Sequence, residues 1–240
     1  MTVLLLRLAA PLQSWGTSSR FARRGTGRAP SKSGVIGLLA AAKGRRRTDP
    51  LEDLLRLQVG VRVEQPGRLE RDFQTARSRD GSTSMPLSYR FYLADAVFLA
   101  AVEGDRALLE GLHEALRRPV FPLFLGRRSC PPAGPLSKGL REGTVADVLT
   151  AEPWAASDWV QRAERRPSVV LDTVLDCPPG AAGSDVVRDE PLSFDPTRRE
   201  YGWRSVSHGR VEVANPWRPA VIGSPASAGR HDPISALDGP

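Results

Sequence analysis

The chain has 240 residues, 40% of them apolar, enough to bury one substantial core or two small ones. Its two cysteines, Cys130 and Cys177, lie far apart without a Cys-x-x-Cys partner, which reads as packed or lightly exposed thiols, not a disulfide framework or metal ligands. The net charge of +7 is uneven: residues 1–48 hold ten Lys or Arg and residues 115–141 hold six, with no Asp or Glu in either window. Biased codon usage explains why 31 of the 34 basic residues are Arg, but not why acids are missing from two long windows. Should the two windows adjoin in the fold, they make one basic surface of the kind that binds nucleic acid. The apolar run Val3–Leu12 is interrupted by Arg7 and Pro11, too short and broken for a membrane span or signal-peptide core. Pro11, Pro30 and the strand-like VLLLRLAA spoil the amphipathic helix of an organellar transit peptide, so a cytoplasmic chain without a membrane partner is expected.

In chain order, Thr2–Ala10 reads as a central strand, followed after a Gly-rich loop by a helix over Ser33–Lys43. Asp49-Pro50-Leu51-Glu52 predicts a second helix start, with a cap, a proline at the first helical position and an early acid. Val59, Val61 and Val63 alternate with polar residues, so residues 58–64 form a half-buried strand, and Ala96–Val102 is a third. Asp105 caps a helix with Leu108, Leu109, Leu112 and Leu116 at helical spacing, and Pro119 ends it. The apolar Phe121, Leu123, Phe124 and Leu125 then suit a buried strand. The order β, α, β, β, α, β is that of an α+β, ferredoxin-like (RRM-like) domain, assigned to residues 1–139. Between its second and third strands sits a long insertion, about 65–95, with a turn signal at Asp80-Gly81; it predicts a projecting β-hairpin, or thumb. Short strands punctuated by Pro and Gly then suggest a smaller β-rich unit over 140–215, and residues 216–240 a flexible tail.

Three stretches carry candidate chemistry. In "FPLFLGRRSCPP" (121–132), Gly126 relaxes the backbone where Arg127 and Arg128 appear, and Ser129 and Cys130 offer short donors; this combination suits contact with an anionic backbone. "GRAPSKSG" (27–34) lacks the Walker glycines, Thr26 and Ser31 standing in their places, so nucleotide hydrolysis is unsupported. A helix beginning there still offers Arg28, Lys32 and Ser33 to a phosphate, against the plainer reading of a serine N-cap. "PLQSWG" (11–16) offers Gln13 for hydrogen bonding and Trp15 for base stacking, against that of a buried indole. Catalytic constellations are thin. His113-Glu114 begins like a zincin helix, but Arg117 replaces the second histidine, and there is no G-x-S-x-G elbow; no metal ligands, catalytic residues or cofactor are assigned.

The ordered set "LRLAAPLQSWG" (6–16), "GRAPSKSGVIGLLAA" (27–41), "RDFQTA" (71–76), "YRFYLADAVF" (89–98), "LGRRSCP" (125–131) and "RDEP" (188–191) resembles the CasD family of type I-E CRISPR Cascade subunits, within the repeat-associated (RAMP) superfamily. The resemblance implies a ferredoxin-like body with a thumb, bound to the 5′ handle of CRISPR RNA (crRNA), capping the backbone filament and contacting the large subunit. The thumb would interrupt the guide-target duplex, so target DNA is met only through that duplex. It implies handle contacts from Gln13, Trp15, Arg28, Lys32, Ser33, Arg127, Arg128, Ser129 and Cys130, and thumb contacts from Gln74, Arg77, Arg79 and Arg90. Type I-C members of the family instead cut precursor RNA, so a metal-independent endoribonuclease is the alternative. Gln74 stands where a relative has His, which removes a candidate base and leaves RNA binding intact.

Overall fold

The computed structural model describes residues 1–16 and 23–218; most of the expected flexible tail, residues 219–240, lies outside them. Its elements are β1 (Thr2–Ala9), β2 (Leu12–Gln13), β3 (Arg23–Arg24), α1 (Lys32–Ala42), α2 (Glu52–Leu55), β4 (Gln58–Gln65), β5 (Arg68–Gln74), β6 (Ser88–Ala94), β7 (Val97–Gly104), α3 (Arg106–Arg117), β8 (Ser137–Glu142), α4 (Val145–Ala151), α5 (Asp158–Ala163), β9 (Ser168–Cys177), β10 (Ser184–Ser193) and β11 (Glu200–Ala214). β8, β1, β7 and β4 lie side by side and antiparallel, which is the fourth, first, third and second strand of a ferredoxin-like unit. An unbroken apolar run needs cover on both faces of its strand. In β1, Leu4, Leu6 and Leu8 meet α1 and α3, while Val3 and Leu5 meet Val145, Val148 and Leu149 of α4.

That second face is the one RNA-recognition modules use as an open platform, and here it is closed. Arg62 on β4 is fully buried and pairs with Glu64; it also donates to the backbone carbonyls of Leu149, Glu152 and Pro153, tying the end of α4 to the sheet. Glu64 in turn accepts from the Ala155 N–H at 2.7 Å. α4 and the chain after it therefore cover this face of the sheet.

The stretch Phe121–Leu125 is not a strand. Pro119 and Pro122 cannot donate to a ladder, and the Val120 and Phe121 N–H groups bond the Ala42 and Ala41 carbonyls at the end of α1, at 3.0 and 3.3 Å. The fourth strand of the unit is instead β8, which crosses the expected boundary at 139 and 140. The helix expected from Asp49 shrinks to one turn, because the Asp49 carboxylate accepts from the Arg46 N–H at 2.7 Å and Leu51 holds the cap position without a side-chain bond. The β-rich C-terminal strands pair onto the free edge of β4, continuing the sheet through β9 and β11 to β10. The thumb forms as expected: β5 pairs with β6 over seven residues, the chain turns at Asp80-Gly81, and β2 and β3 flank the other edge of β6. Among the described residues no helix is long and apolar enough to cross a membrane.

Candidate nucleic-acid interface

The loop from Leu125 to Cys130 closes on itself, the Leu125 N–H bonding the Cys130 carbonyl and the Cys130 N–H the Arg127 carbonyl, both at 2.8 Å. Gly126 has φ +87°, and a Cβ there would sit 1.6 Å from the Ser14 carbonyl oxygen, so no other residue fits this packing. Arg127 turns inward: it donates to the carbonyls of Phe91 (3.1 Å), Arg24 (2.9 Å) and Gly25 (3.4 Å), over the Tyr92 ring at 4.7 Å. Where a phosphate contact was expected, three of the five Arg127 N–H groups instead clamp this loop to the thumb base. Arg128 and Ser129 are exposed, and Arg128 has no carboxylate partner among the described residues. Cys130 is buried, with its thiol pushed up by burial, so it is not a surface donor.

The start of α1 is satisfied from within. Ser31 is the N-cap, accepting from the Gly34 N–H at 3.2 Å, and the Lys32 N–H donates to the Asp189 carboxylate at 2.9 Å. The Lys32 ammonium, with 7% of its side chain exposed, bridges Asp176 and Glu190 at 3.1 Å each. Arg204 completes the network by pairing with Asp189 and Asp176. Carboxylates from β9 and β10 therefore occupy the place a phosphate was expected to take, which corrects the role of Lys32; Arg28 stays exposed and Ser33 half-buried. Gln13 and Trp15 are corrected as well. The Trp15 indole is 1% exposed and donates to Gln13 Oε1 at 3.1 Å, and a Cβ on Gly34 would meet its ring at 2.8 Å. Gln13 Nε2 in turn donates to the Leu8 and Ala96 carbonyls. Both side chains are buried and pin the strand to the helix.

On the thumb, register separates two faces. Leu69, Arg71 and Phe73 lie opposite Leu93, Phe91 and Tyr89, giving an apolar face on which Arg71 covers Tyr89 and Arg23 covers Phe91. The other face carries Gln74, opposite Ser88, and Arg90, which lies opposite Asp72 and beside Arg24. Arg90 Nε is buried without a hydrogen-bond partner among the described residues. Arg77 and Arg79 are exposed near the tip, where Ser78 and Ser82 hold the Asp80 carboxyl down to about 2.

The structure also assembles residues that motif reading passed over. A groove of about 380 Å3 lies along α1, lined by Gly34, Gly37, Ala40 and Ala41, with the Trp15 ring packed on Gly34 and that of Phe194 near Gly37. Phe121 and Phe124 line it from the closed loop's approach, Phe194 and Tyr201 from the β10–β11 side. Arg45, Arg46, Arg47 and Arg199 also line it, and no Asp or Glu does. Arg45 is held by Asp53 and the Pro50 carbonyl, an ion pair that keeps the Asp53 carboxyl below the usual range. Arg46 and Arg47 are exposed, without a carboxylate partner among the described residues. The one signal for these positions was the acid-free first window, which Arg45–Arg47 close. Through Phe124 and Gly126 this groove meets the loop of Arg128, so the two acid-free windows do share one surface.

The chain is similar to the CRISPR system Cascade subunit CasD of Escherichia coli (strain K12), at 33% identity over 156 residues, 57% of this chain and 70% of that protein. It is similar in structure to a chain of a CRISPR RNA-guided surveillance complex, with TM-score 0.75 and 34% identity over 91% of this chain and 95% of the other. A crystal structure of a Cas protein matches with TM-score 0.67 and 37% identity, covering 90% and 97%. The model of the family described as CRISPR-associated protein (Cas_Cas5) matches residues 3–207, most of the molecule, and the chain belongs to that family.

Proposed function

We propose that the chain is a non-catalytic scaffold subunit of a Cascade-type surveillance complex, holding the 5′ handle of crRNA and meeting target DNA only through the guide duplex. The observation that carries this reading is the acid-free groove with its arginines, continuous with the exposed Arg128 and Ser129. Unpaired guanidinium groups gathered on one face favour a polyanion, and they position a strand through its phosphates. Of the contacts expected from sequence, Arg28, Ser33, Arg128 and Ser129 remain for the handle, and Gln74, Arg77, Arg79 and Arg90 for the thumb. Similarity to a Cascade subunit supports backbone and large subunits as partners.

The test is to mix the purified chain with end-labelled cognate repeat RNA and a scrambled control at two salt concentrations, then run native and denaturing gels. Preferential, salt-sensitive binding with intact RNA is expected. A discrete metal-independent cut in the cognate repeat would overturn the scaffold reading in favour of an endoribonuclease.

A further inference from the structure

We propose that Asp189 is a positioning residue for the groove along α1: it touches no ligand, yet it fixes how far the wall of Phe194, Arg199 and Tyr201 stands from the helix. The proposal rests on the RNA-binding reading above and adds to it the residue that sets the width of the site. It also gives a role to the "RDEP" stretch (188–191), which does not line the groove. Asp189 is 3% exposed, so it acts on a strand bound in the groove only through other side chains.

Three observations converge. Asp189 lies on β10 and joins that strand to two other elements: it accepts the Lys32 N–H of α1 at 2.9 Å, and Arg204 on β11 donates to both of its oxygens, at 2.6 and 3.0 Å. The donor on α1 is a backbone N–H, so this tie holds the helix itself, whereas the neighbouring Lys32–Glu190 pair works through a long side chain. A carboxylate suits the place because it accepts from both partners at once, where an amide has a single acceptor oxygen. The second observation is that the strand ladder gives the wall little support. β10 is the outer strand of the sheet, and its register with β11 shifts between Val187 and Glu190 and again between Pro191 and Ser193, so pairing is interrupted on the way to Phe194. The third is proximity: Phe194 follows Asp189 closely and Tyr201 shortly precedes Arg204, and the Phe194 ring lies near Gly37 of α1. A shift at the tie therefore passes directly to the residues that face the groove.

The experiment uses the full chain and end-labelled single-stranded cognate repeat RNA, with affinity read on native gels at a temperature where circular dichroism shows each variant folded. Asp189→Asn makes the chain more positive, which by charge alone favours RNA. Affinity is expected to fall about fivefold to tenfold all the same, because the wall moves. In a Tyr201→Ala background, which removes the wall's tyrosine ring, the same substitution should change affinity by less than about twofold. A residue that only stabilises the fold gives the same loss in both backgrounds. That result, or an affinity that rises or stays level in folded Asp189→Asn, would overturn the proposal and leave the scaffold reading standing. Should Asp189→Asn fail to fold, Arg204→Lys keeps the charge, loses the two-pronged grip on Asp189, and is read through the same cycle with the same expected coupling. Absence of any RNA binding by the wild-type chain would remove the functional reading and this proposal with it.

Discussion

The two ends of α1 carry cations of opposite fate. At its beginning, Lys32 is enclosed by Asp176 and Glu190, and its own N–H is bound by Asp189. Just beyond its end, Arg46 and Arg47 stand over a groove without acids. Sequence places both groups in the same acid-free window, so local charge density does not distinguish them. What distinguishes them is whether β9 and β10 bring carboxylates from more than a hundred residues away. A cation closed in by carboxylates is part of the scaffold, and one left without them is free to hold a ligand.

The strongest way to break this comparison is Lys32→Met. It leaves two carboxylates without their ammonium partner, and a stability loss of about 3–5 kcal/mol is expected in chemical denaturation. A fall in RNA affinity with unchanged stability would show that Lys32 serves the ligand after all. Next, Arg46→Ala combined with Arg47→Ala should lower RNA affinity about tenfold or more and reduce the slope of log affinity against log salt by about 1.4, two single-strand contacts' worth. Its melting temperature should match wild type. A salt slope that does not move would assign those arginines elsewhere.

The neighbouring pair Arg127 and Arg128 offers a finer version. Arg127→Ala removes three carbonyl bonds and a cation-ring contact, and should cost about 1–2 kcal/mol while loosening the thumb base, seen as faster amide exchange near Phe91. Arg128→Ala should change stability by less than about 0.5 kcal/mol yet reduce the salt slope by about 0.7. Exchanged outcomes would reverse the assignment of the two side chains. The smallest effect belongs to the thumb tip. Asp80 has a folded pKa of about 2, below its ordinary 3.8, so its bonds to Ser78 and Ser82 contribute fully above pH 3.8 and are lost as pH falls through about 2. A carboxyl resonance of Asp80 titrating near 3.8 would show that the tip is not ordered this way.

Local pattern was enough for the strands and helices that bury a regular face. Val59, Val61 and Val63, and the leucines of α3, carry their periodicity in plain view, and Asp105 caps as its type dictates, accepting from the Leu108 N–H at 3.0 Å. The turn at Asp80-Gly81 was equally local. Phe121–Leu125 misled because apolar content says that a segment is buried, not what covers it, and the end of α1 claimed its N–H groups. Trp15 and Gln13 misled because a turn among basic residues looks solvent-facing until Gly34 is found beneath the indole.

Sequence by itself determined the first five elements of the ferredoxin-like order, the thumb and the excess of arginine in two windows, since each follows from residue spacing or type over a short stretch. Only the tertiary structure decided which of those arginines are available. Availability depends on partners distant in the chain, Asp176 and Asp189 for the start of α1 and the Phe91, Arg24 and Gly25 carbonyls for Arg127, and a guanidinium or ammonium group binds whichever acceptor the fold brings within hydrogen-bond reach.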